Sequence, residues 1–233
     1  MDVEIKLNFG ASQIERAKEV FGLDPARADK RDIYFGEVRS GQDGRDALPL
    51  LRRGVILRVR ATKKKSGDVT LKFRGPDGCL DGAAWSTRTT GLTDEVKLEG
   101  DWADRRLVSA SLTADSESAG REDLAAGVPP IATLLSKEQT DLATDLLVPV
   151  GDVELLGPIS ALKWKHERDG DVDAEEWRVG DLHFLEVSVL ATTDPEEAQR
   201  ALRQRAVAAD LTPEEGQEPK TTRVLRHLAG PAR

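Results

Sequence analysis

The sequence contains little cysteine and no long apolar run. Its single cysteine, Cys79, excludes an intramolecular disulfide and is typical of a protein from a reducing compartment. No charged-then-apolar leader opens the chain, and no apolar stretch approaches the roughly 18 residues that a membrane-spanning helix needs. We therefore expect a cytoplasmic protein without a membrane partner.

The common signatures of catalysis and metal binding are also missing. The sequence has no GxxxxGK phosphate-binding loop, no GxGxxG after a predicted strand, no HExxH and no CxxC. Its three histidines, His166, His183 and His227, lack the spacing of metal ligands. There is no basic surplus either, because 34 basic against 42 acidic residues give a net charge of −8. That balance argues against non-specific binding of nucleic acid.

Cationic side chains are concentrated on one predicted β-hairpin, over residues 54–75. Side chains two apart share one face of a strand, and this spacing relates the cations within each strand. We place no acid on this face, because Asp68 is assigned to the turn between the strands. The pattern predicts an anion-binding face, with a solvated outer face as the alternative. The cations are Arg58, Arg60, Lys72 and Arg74.

The first predicted strand carries acids on its polar face. Residues 2–9 alternate strictly between polar and apolar, which predicts a strand with one apolar face. Carboxylates at i and i+2, such as Asp2 and Glu4, stand roughly 6–7 Å apart along a strand and could both reach a divalent cation. A solvated edge strand is the alternative. A later segment, 95–101, repeats the alternation and includes Glu99.

The predicted strands fall into two groups. The first group covers about residues 2–113, and the second covers about residues 152–190. A bridging helix is predicted over about 129–148, and further helices are predicted over 194–229. Many strands with a charged face in each group suggest an α+β fold whose barrel encloses the polar faces. We expect one domain over residues 1–233.

One carboxylate, Glu186, lies in a predicted strand over residues 182–190 that is apolar apart from it, His183 and Ser188. Burying Glu186 there without a cation or a partner would be costly, so we predict that it is an ionised metal ligand. We expect it to pair across the barrel with Glu4. The alternative is a structural salt bridge to a nearby cation, for which the candidates are Lys163, Lys165 and Arg178.

Six segments match, in order, the motifs of one known family. The early ones are DVEIK at 2–6, like an ExExK signature, RDIYFG at 31–36, LRVR at 57–60 and LKFR at 71–74. The late ones are FLEVSV at 184–189, like a closing acidic strand, and KTTR at 220–223. In these segments the chain resembles the CYTH, or triphosphate tunnel metalloenzyme, superfamily. The resemblance implies an eight-stranded antiparallel β-barrel, a tunnel, with helices packed outside.

The resemblance also implies an activity and the residues that perform it. The implied enzyme is a metal-dependent hydrolase that releases orthophosphate from inorganic, nucleoside or thiamine triphosphate. Its cofactor would be Mg²⁺ or Mn²⁺, held by Asp2, Glu4, Glu99 and Glu186. The implied catalytic residues are Lys6, Glu4 and Glu186. The triphosphate would be bound by Arg58, Arg60, Lys72, Arg74, Lys163, Lys165, Arg178 and Lys220.

Two alternatives stay open for the function. Asp2 is one methylene shorter than glutamate, and Ser188 stands where the family often shows a second acid. These departures favour a module that binds a polyphosphate or nucleotide without cleaving it. The other alternative is a class IV-type adenylate cyclase, which would release pyrophosphate and cyclic AMP from ATP.

Overall fold

The computed structural model describes residues 1–38, 48–62, 66–74, 85, 89–103, 105–166, 172–216 and 219–230. Cys79 lies outside these residues. Within them the strands are Val3–Gly10 (β1), Asp29–Val38 (β2), Val55–Ala61 (β3), Gly67–Arg74 (β4), Glu95–Trp102 (β5), Arg106–Ser116 (β6), Val153–Trp164 (β7), Asp173–Val179 (β8) and Leu182–Ala191 (β9). Their hydrogen-bonding order is that of a closed barrel, β1-β5-β6-β4-β3-β2-β7-β8-β9.

The predicted α+β barrel is confirmed, but the expectation of eight antiparallel strands is wrong. The described residues form nine strands, and the sheet is mixed. β1 runs antiparallel to β9 but parallel to β5, with Val3 opposite Gly100 and Ile5 opposite Trp102. Parallel neighbours need a long crossover. Here the chain between β1 and β5 is long enough because it contains β2, β3 and β4.

The helices within the described residues are Ile14–Phe21 (α1), Pro49–Arg52 (α2), Arg121–Ala126 (α3), Lys137–Asp145 (α4), Pro195–Val207 (α5) and Lys220–Ala229 (α6). The continuous bridging helix predicted over 129–148 is wrong. A 3-10 turn at Ile131–Thr133 precedes α4, and Ser136 begins α4 as its N-cap in a capping box with Gln139. None of the helices described is long and apolar enough to cross a membrane.

The chain divides into two compact units. Unit A comprises Met1–Arg31, Glu99–Leu107 and Ile159–Pro219. In its core, the apolar residues of β1, among them Ile5 and Phe9, pack with residues of α1 and α5. Because side chains alternate along a strand, these helices cover the apolar face of β1 and leave its polar face to other residues of the chain.

Unit B comprises Asp32–Leu98, Val108–Pro158 and Lys220–Arg233. Its core joins the apolar faces of β3, β4 and β6 to α4. Gln139 of α4 is fully buried, and its Nε2 donates to the carbonyl oxygens of Val69 at 2.8 Å and Leu112 at 3.1 Å. This side chain anchors α4 on the sheet. The organisation of the whole chain as one domain stays a prediction.

Candidate functional site

The polar face of β1 in unit A continues onto the neighbouring strands. Residues directly opposite one another in a sheet point to the same side. Asn8 of β1 lies opposite Glu186 of β9, and Glu186 lies opposite Glu175 of β8. The same register relates the other polar residues of these strands and of β5. We call this surface the acidic face; its members are Glu4, Lys6, Asn8, Glu99, Asp101, Asp173, Glu175, Glu186 and Ser188.

Lys6 is the buried cation of the acidic face. Its Nζ lies 2.8 Å from Asp101 Oδ1 and 2.9 Å from Glu4 Oε2. The side chains of Lys6 and Asp101 are each 9% exposed, whereas that of Glu4 is 28% exposed. Ser188 Oγ donates to the other oxygen of Glu4 at 3.0 Å. The described structure therefore holds Glu4 through both of its carboxylate oxygens.

The surrounding carboxylates keep Lys6 charged. Burial of the ammonium group would lower its pKa, but the charges of Asp101, Glu4 and Glu186 outweigh burial and raise the pKa of Lys6 well above its usual range. Since the pKa of Lys6 is raised in the folded state, the stability that Lys6 gains from these carboxylates is fully present below the ordinary lysine pKa of 10.5. Lys6 is thus a permanent cation at neutral pH.

Glu186 lies in a second group of the acidic face. Asn8, Glu186 and Glu175 occupy one row across β1, β9 and β8, and all three are buried. Glu4 lies four residue pairs away along β1, opposite Leu190. The predicted pairing of Glu186 with Glu4 across the barrel is therefore wrong. The two residues lie on adjacent strands, about 13 Å apart along β1 from the rise per residue.

The donors of this row have the chemistry that Mg²⁺ or Mn²⁺ requires. Hard divalent cations take carboxylate and amide oxygens, and Asn8 Oδ1 is buried without a hydrogen-bond partner among the described residues. That orphaned oxygen, beside Glu186 and Glu175, fits a cation. Within the described part of the chain, however, no three histidine, cysteine or acidic side chains lie close enough together to hold a metal ion. Any ion would need the amide oxygen, the substrate or water as further ligands.

The other predicted metal ligands lie towards the ends of their strands. Asp2 is exposed and precedes β1. Glu99 shares the face of Asp101, which follows it by two residues in β5, and is partly buried. Neither position gives the carboxylate the enclosed setting of Glu186.

The remaining predicted phosphate-binding cations differ in setting. Lys163 of β7 shares the acidic face and pairs with Asp173 at 3.1 Å. Lys165 is exposed and follows the end of β7. Arg178 is 63% exposed and lies on the opposite face of β8, near Glu176. Lys220, in unit B, is the first residue of α6 and is partly buried.

Glu176 forms an ionic cluster on the outer face of β8. Its carboxylate binds Lys18 of α1 at 2.8 Å and His183 of β9 at 2.7 Å, and its side chain is 7% exposed. Burial would raise its pKa, but the hydrogen bonds from Lys18 and His183 outweigh burial and hold the pKa of Glu176 below 4.5. This cluster holds α1 on the sheet, and none of its residues belongs to the acidic face.

We expect Glu176→Gln to lower the melting temperature by several degrees at pH 7. Because the folded-state pKa is lowered, the stabilisation is present above pH 4.5 and is lost as the pH falls through the folded pKa. Thermal melts between pH 7 and pH 3 should therefore converge for mutant and wild type in acid. Glu15→Gln, at the 82% exposed partner of Lys18, is the control and should have little effect. A difference that persists unchanged at pH 3 would contradict this account.

Unit B carries the cations of the predicted hairpin on one face. Arg58 lies opposite Thr70, and Arg60 lies opposite Asp68. Arg58 Nη2 donates to Thr70 Oγ1 at 3.2 Å, and Thr70 Oγ1 is 3.1 Å from Thr113 Oγ1 on β6. We call this surface the arginine face; its members are Arg58, Arg60, Asp68, Thr70, Lys72, Arg74, Ser109, Ser111, Thr113 and Asp115.

The prediction that this face lacks an acid is wrong. β4 begins at Gly67, so Asp68 belongs to the strand and not to the turn. Arg60 Nε lies 2.7 Å from Asp68 Oδ1 and 3.0 Å from Oδ2. Asp115 lies opposite Asp68 on β6. The Arg60 end of the face is therefore neutralised in part, and its net positive charge lies with Arg58, Lys72 and Arg74.

Among the residues of the two faces that sequence reasoning missed, four make the main contacts or form the buried row. Asp101 belongs to the alternating run over 95–101 that includes Glu99, and Glu175 lies within the second predicted strand group, so their segments were identifiable. Their partners were not, because Lys6 and Asp101 are 95 residues apart. Asn8 was assigned to the polar face of β1 but given no role. Asp68 was identifiable only with the correct start of β4.

Comparisons with known proteins support the fold. No family model matches the chain, and no curated protein matches it. A candidate adenylate cyclase from Bacillus halodurans is similar in structure, with a TM-score of 0.62 and 14% identity over 97% of this chain and 98% of that one. A candidate adenylyl cyclase from Hippeastrum, described as having a dominant triphosphatase activity, gives a TM-score of 0.63 and 15% identity over 95% of this chain and 94% of that one. The chain therefore shares its fold with these two proteins, and its barrel fits the CYTH fold that the ordered motifs predicted.

Proposed function

We propose that the chain is a divalent-metal-dependent hydrolase that releases orthophosphate from a triphosphate compound. The observation that carries this proposal is the pair of polar faces on one fold. One is rich in carboxylates around a buried lysine, and the other is rich in arginine and lysine. Phosphoryl transfer needs positioning and charge neutralisation more than covalent help, and this combination of groups can supply both. The triphosphatase activity described for the Hippeastrum neighbour adds support.

The arginine face would bind the phosphate chain. Arginine offers several planar donors that can hold two phosphoryl oxygens at once, whereas lysine offers a compact charge. Arg58 and Arg60 would therefore orient the substrate, and Lys72 and Arg74 would add charge. Arg58 already shares a hydrogen bond with Thr70, which limits the freedom it loses on binding.

The acidic face would hold the metal. Glu186, Glu175 and the amide oxygen of Asn8 are the proposed ligands of the buried row, with Glu4 as a further one. Mg²⁺ or Mn²⁺ would supply neutralisation of charge on the phosphoryl oxygens. Lys6 and Ser188 already contact the two oxygens of Glu4 and would share this carboxylate with the cation.

Lys6 and Glu4 would perform the remaining chemistry of this face. Lys6 stays protonated, so it would stabilise negative charge on the transferred phosphoryl group. Glu4 is the more exposed of the two carboxylates that contact Lys6, so water reaches it more readily. Its carboxylate would accept the proton of the attacking water.

Variants of the two faces should fail in different ways. We expect Arg58→Ala to weaken binding of inorganic triphosphate about tenfold or more, with or without metal, from the loss of a charge-assisted hydrogen bond. We expect Glu4→Gln to leave metal-free binding nearly unchanged but to lower turnover by about 100-fold or more, the usual loss for a general base. Calorimetric titration and phosphate release measure the two effects.

Arg106→Ala is the control for this experiment. Arg106 is an exposed residue that pairs with Glu196, and its replacement should change neither quantity. If Arg58→Ala and Glu4→Gln altered only thermal stability, the two faces would be structural and the proposal would be wrong.

Two other functions have an observation in their favour. Ser188 on the acidic face, bonded to Glu4, leaves that face one acid short of the family pattern and favours a binding module. The cyclase descriptions of the two structural neighbours favour a nucleotide cyclase. The products formed from a triphosphate distinguish all three functions.

A further inference from the structure

We propose that Asp68 is a positioning residue that holds Arg60 by its Nε and thereby presents the two terminal NH₂ groups of the guanidinium to a phosphate. The inference rests on the proposed function, because it assumes that the arginine face binds an anion. It adds a residue that contacts no substrate itself but determines how a substrate-binding arginine is oriented.

The geometry of the pair separates the two edges of the guanidinium. Both oxygens of Asp68 lie within hydrogen-bond distance of Arg60 Nε, at 2.7 and 3.0 Å. The pair is accessible, since the side chains of Arg60 and Asp68 are 25% and 18% exposed. Within the described residues Arg60 makes no hydrogen bond through Nη1 or Nη2. Those two groups form the fork that binds phosphoryl oxygens in pairs.

The neighbouring arginine is held by the same device with different chemistry. Each arginine of β3 is bonded by the residue directly opposite it on β4, Arg58 by Thr70 and Arg60 by Asp68. Thr70 is neutral and is itself supported by Thr113. A neutral hydroxyl therefore also bonds an arginine from this kind of position. The carboxylate of Asp68 differs from that hydroxyl because it adds a negative charge beside the arginine.

Asp68 should affect phosphate binding in two opposite ways. Its negative charge repels a triphosphate, and this effect weakens with salt. Its two hydrogen-bond contacts fix a long, flexible side chain before the ligand arrives, so less side-chain entropy is lost on binding. The orienting effect of Asp68 outweighs its repulsion of the ligand. Asparagine separates the two effects, because it keeps the hydrogen-bond acceptor and removes the charge.

The test is calorimetric titration of inorganic triphosphate into wild type, Asp68→Ala and Asp68→Asn, with EDTA present to remove metal. We expect Asp68→Ala to raise Kd about five- to tenfold, because Arg60 loses its anchor. We expect Asp68→Asn to bind as tightly as wild type or more tightly, with any gain shrinking as salt is added. In an Arg60→Ala background, Asp68→Ala should cause no further loss.

Asp115→Ala is the matched control, because Asp115 lies opposite Asp68 and its replacement removes a negative charge without removing the anchor of Arg60. We expect Asp115→Ala to tighten binding. If Asp68→Ala tightened binding as Asp115→Ala does, Asp68 would merely repel the ligand and the inference would be overturned. Should Asp68→Ala fail to fold, Asp68→Val, which suits a strand, replaces it with the same expected loss. Absence of triphosphate binding by wild type, or an Arg60→Ala variant that binds like wild type, would instead contradict the proposed function.

Discussion

Replacing Lys6 with methionine is expected to lower the free energy of unfolding by about 3–5 kcal/mol, the usual cost of leaving one partner of a buried ion pair uncompensated. Methionine keeps the apolar stem but removes the ammonium group between Asp101 and Glu4. Asp101 would then be a carboxylate whose side chain is only 9% exposed, without the cation that it contacts at 2.8 Å. Chemical denaturation at pH 7 measures the loss.

A double variant separates charge from packing. Lys6→Met with Asp101→Asn removes both buried charges and should recover most of the stability that Lys6→Met loses. Mn²⁺ should also stabilise Lys6→Met more than it stabilises wild type, because Glu4 and Asp101 would have lost their cation. Lys163→Met is the control, since Lys163 pairs with a more exposed acid and should cost less. A Lys6→Met variant as stable as wild type would show that the pair contributes nothing.

Glu186→Gln is expected to lower turnover by about 100-fold or more, consistent with loss of a group that acts on the transition state, while leaving the metal-free protein no less stable. Glu186 is 5% exposed and lies between Asn8 and Glu175 in one row of the sheet. Glu186 faces the acid Glu175 but is also attracted by Lys6, and we expect the repulsion that is removed to offset the attraction that is lost. The same substitution should abolish the rise in melting temperature that Mn²⁺ gives the wild type.

The competing explanation makes Glu186 a structural salt-bridge partner. The cations predicted for that role contact other acids or lie beyond the strand, since Lys163 pairs with Asp173, Arg178 pairs with Glu176, and Lys165 is exposed beyond β7. Lys6 is the described cation whose charge interacts with that of Glu186. Thermal melts of wild type and Glu186→Gln, each with EDTA and with Mn²⁺, distinguish the explanations. A mutant that melts several degrees lower in EDTA, or a wild type that gains nothing from Mn²⁺, would contradict the role of a metal ligand.

The sequence predicted which residues of a single strand share a polar face. Alternation with a period of two puts Arg58 with Arg60 and Glu4 with Lys6 on shared faces, whatever the strands pair with. Glu186 was identifiable because a single carboxylate interrupts an apolar run, and the structure buries it. The N-cap of α5 was also predictable, because it depends only on neighbouring residues: the side chain of Asp194 accepts a hydrogen bond from Glu197 N.

The contacts between strands could not be predicted in this way. The ion pair of Lys6 with Asp101 depends on β1 running parallel to β5, and nothing in either segment encodes that partner. The row of Asn8, Glu186 and Glu175 depends on the register of three strands. A shift of one residue would move each side chain to the opposite face. Asp68 was missed for a smaller reason, an error of two residues in where β4 begins.

Long-range packing also explains the error in the bridging segment. Apolar residues recur over 129–148 with helical spacing, but a new helix begins after Ser136. The buried side-chain amide of Gln139 in this helix donates a hydrogen bond to the sheet. The sequence from 136 to 139 is typical of a capping box. That the helix begins there, against the hydrophobic spacing, depends on the hydrogen bonds that Gln139 donates to the carbonyl groups of Val69 and Leu112. Tertiary contacts overrode the local pattern.

The measurement that tests the central claim most directly is the analysis of products from inorganic triphosphate and ATP, by wild-type protein with Mn²⁺ and with EDTA. The account predicts orthophosphate from at least one of the two, dependent on Mn²⁺ and lost in Glu186→Gln. Pyrophosphate with cyclic AMP from ATP would instead make the protein a cyclase. Tight binding without any product, at all metal concentrations, would contradict hydrolysis and leave a polyphosphate-binding module.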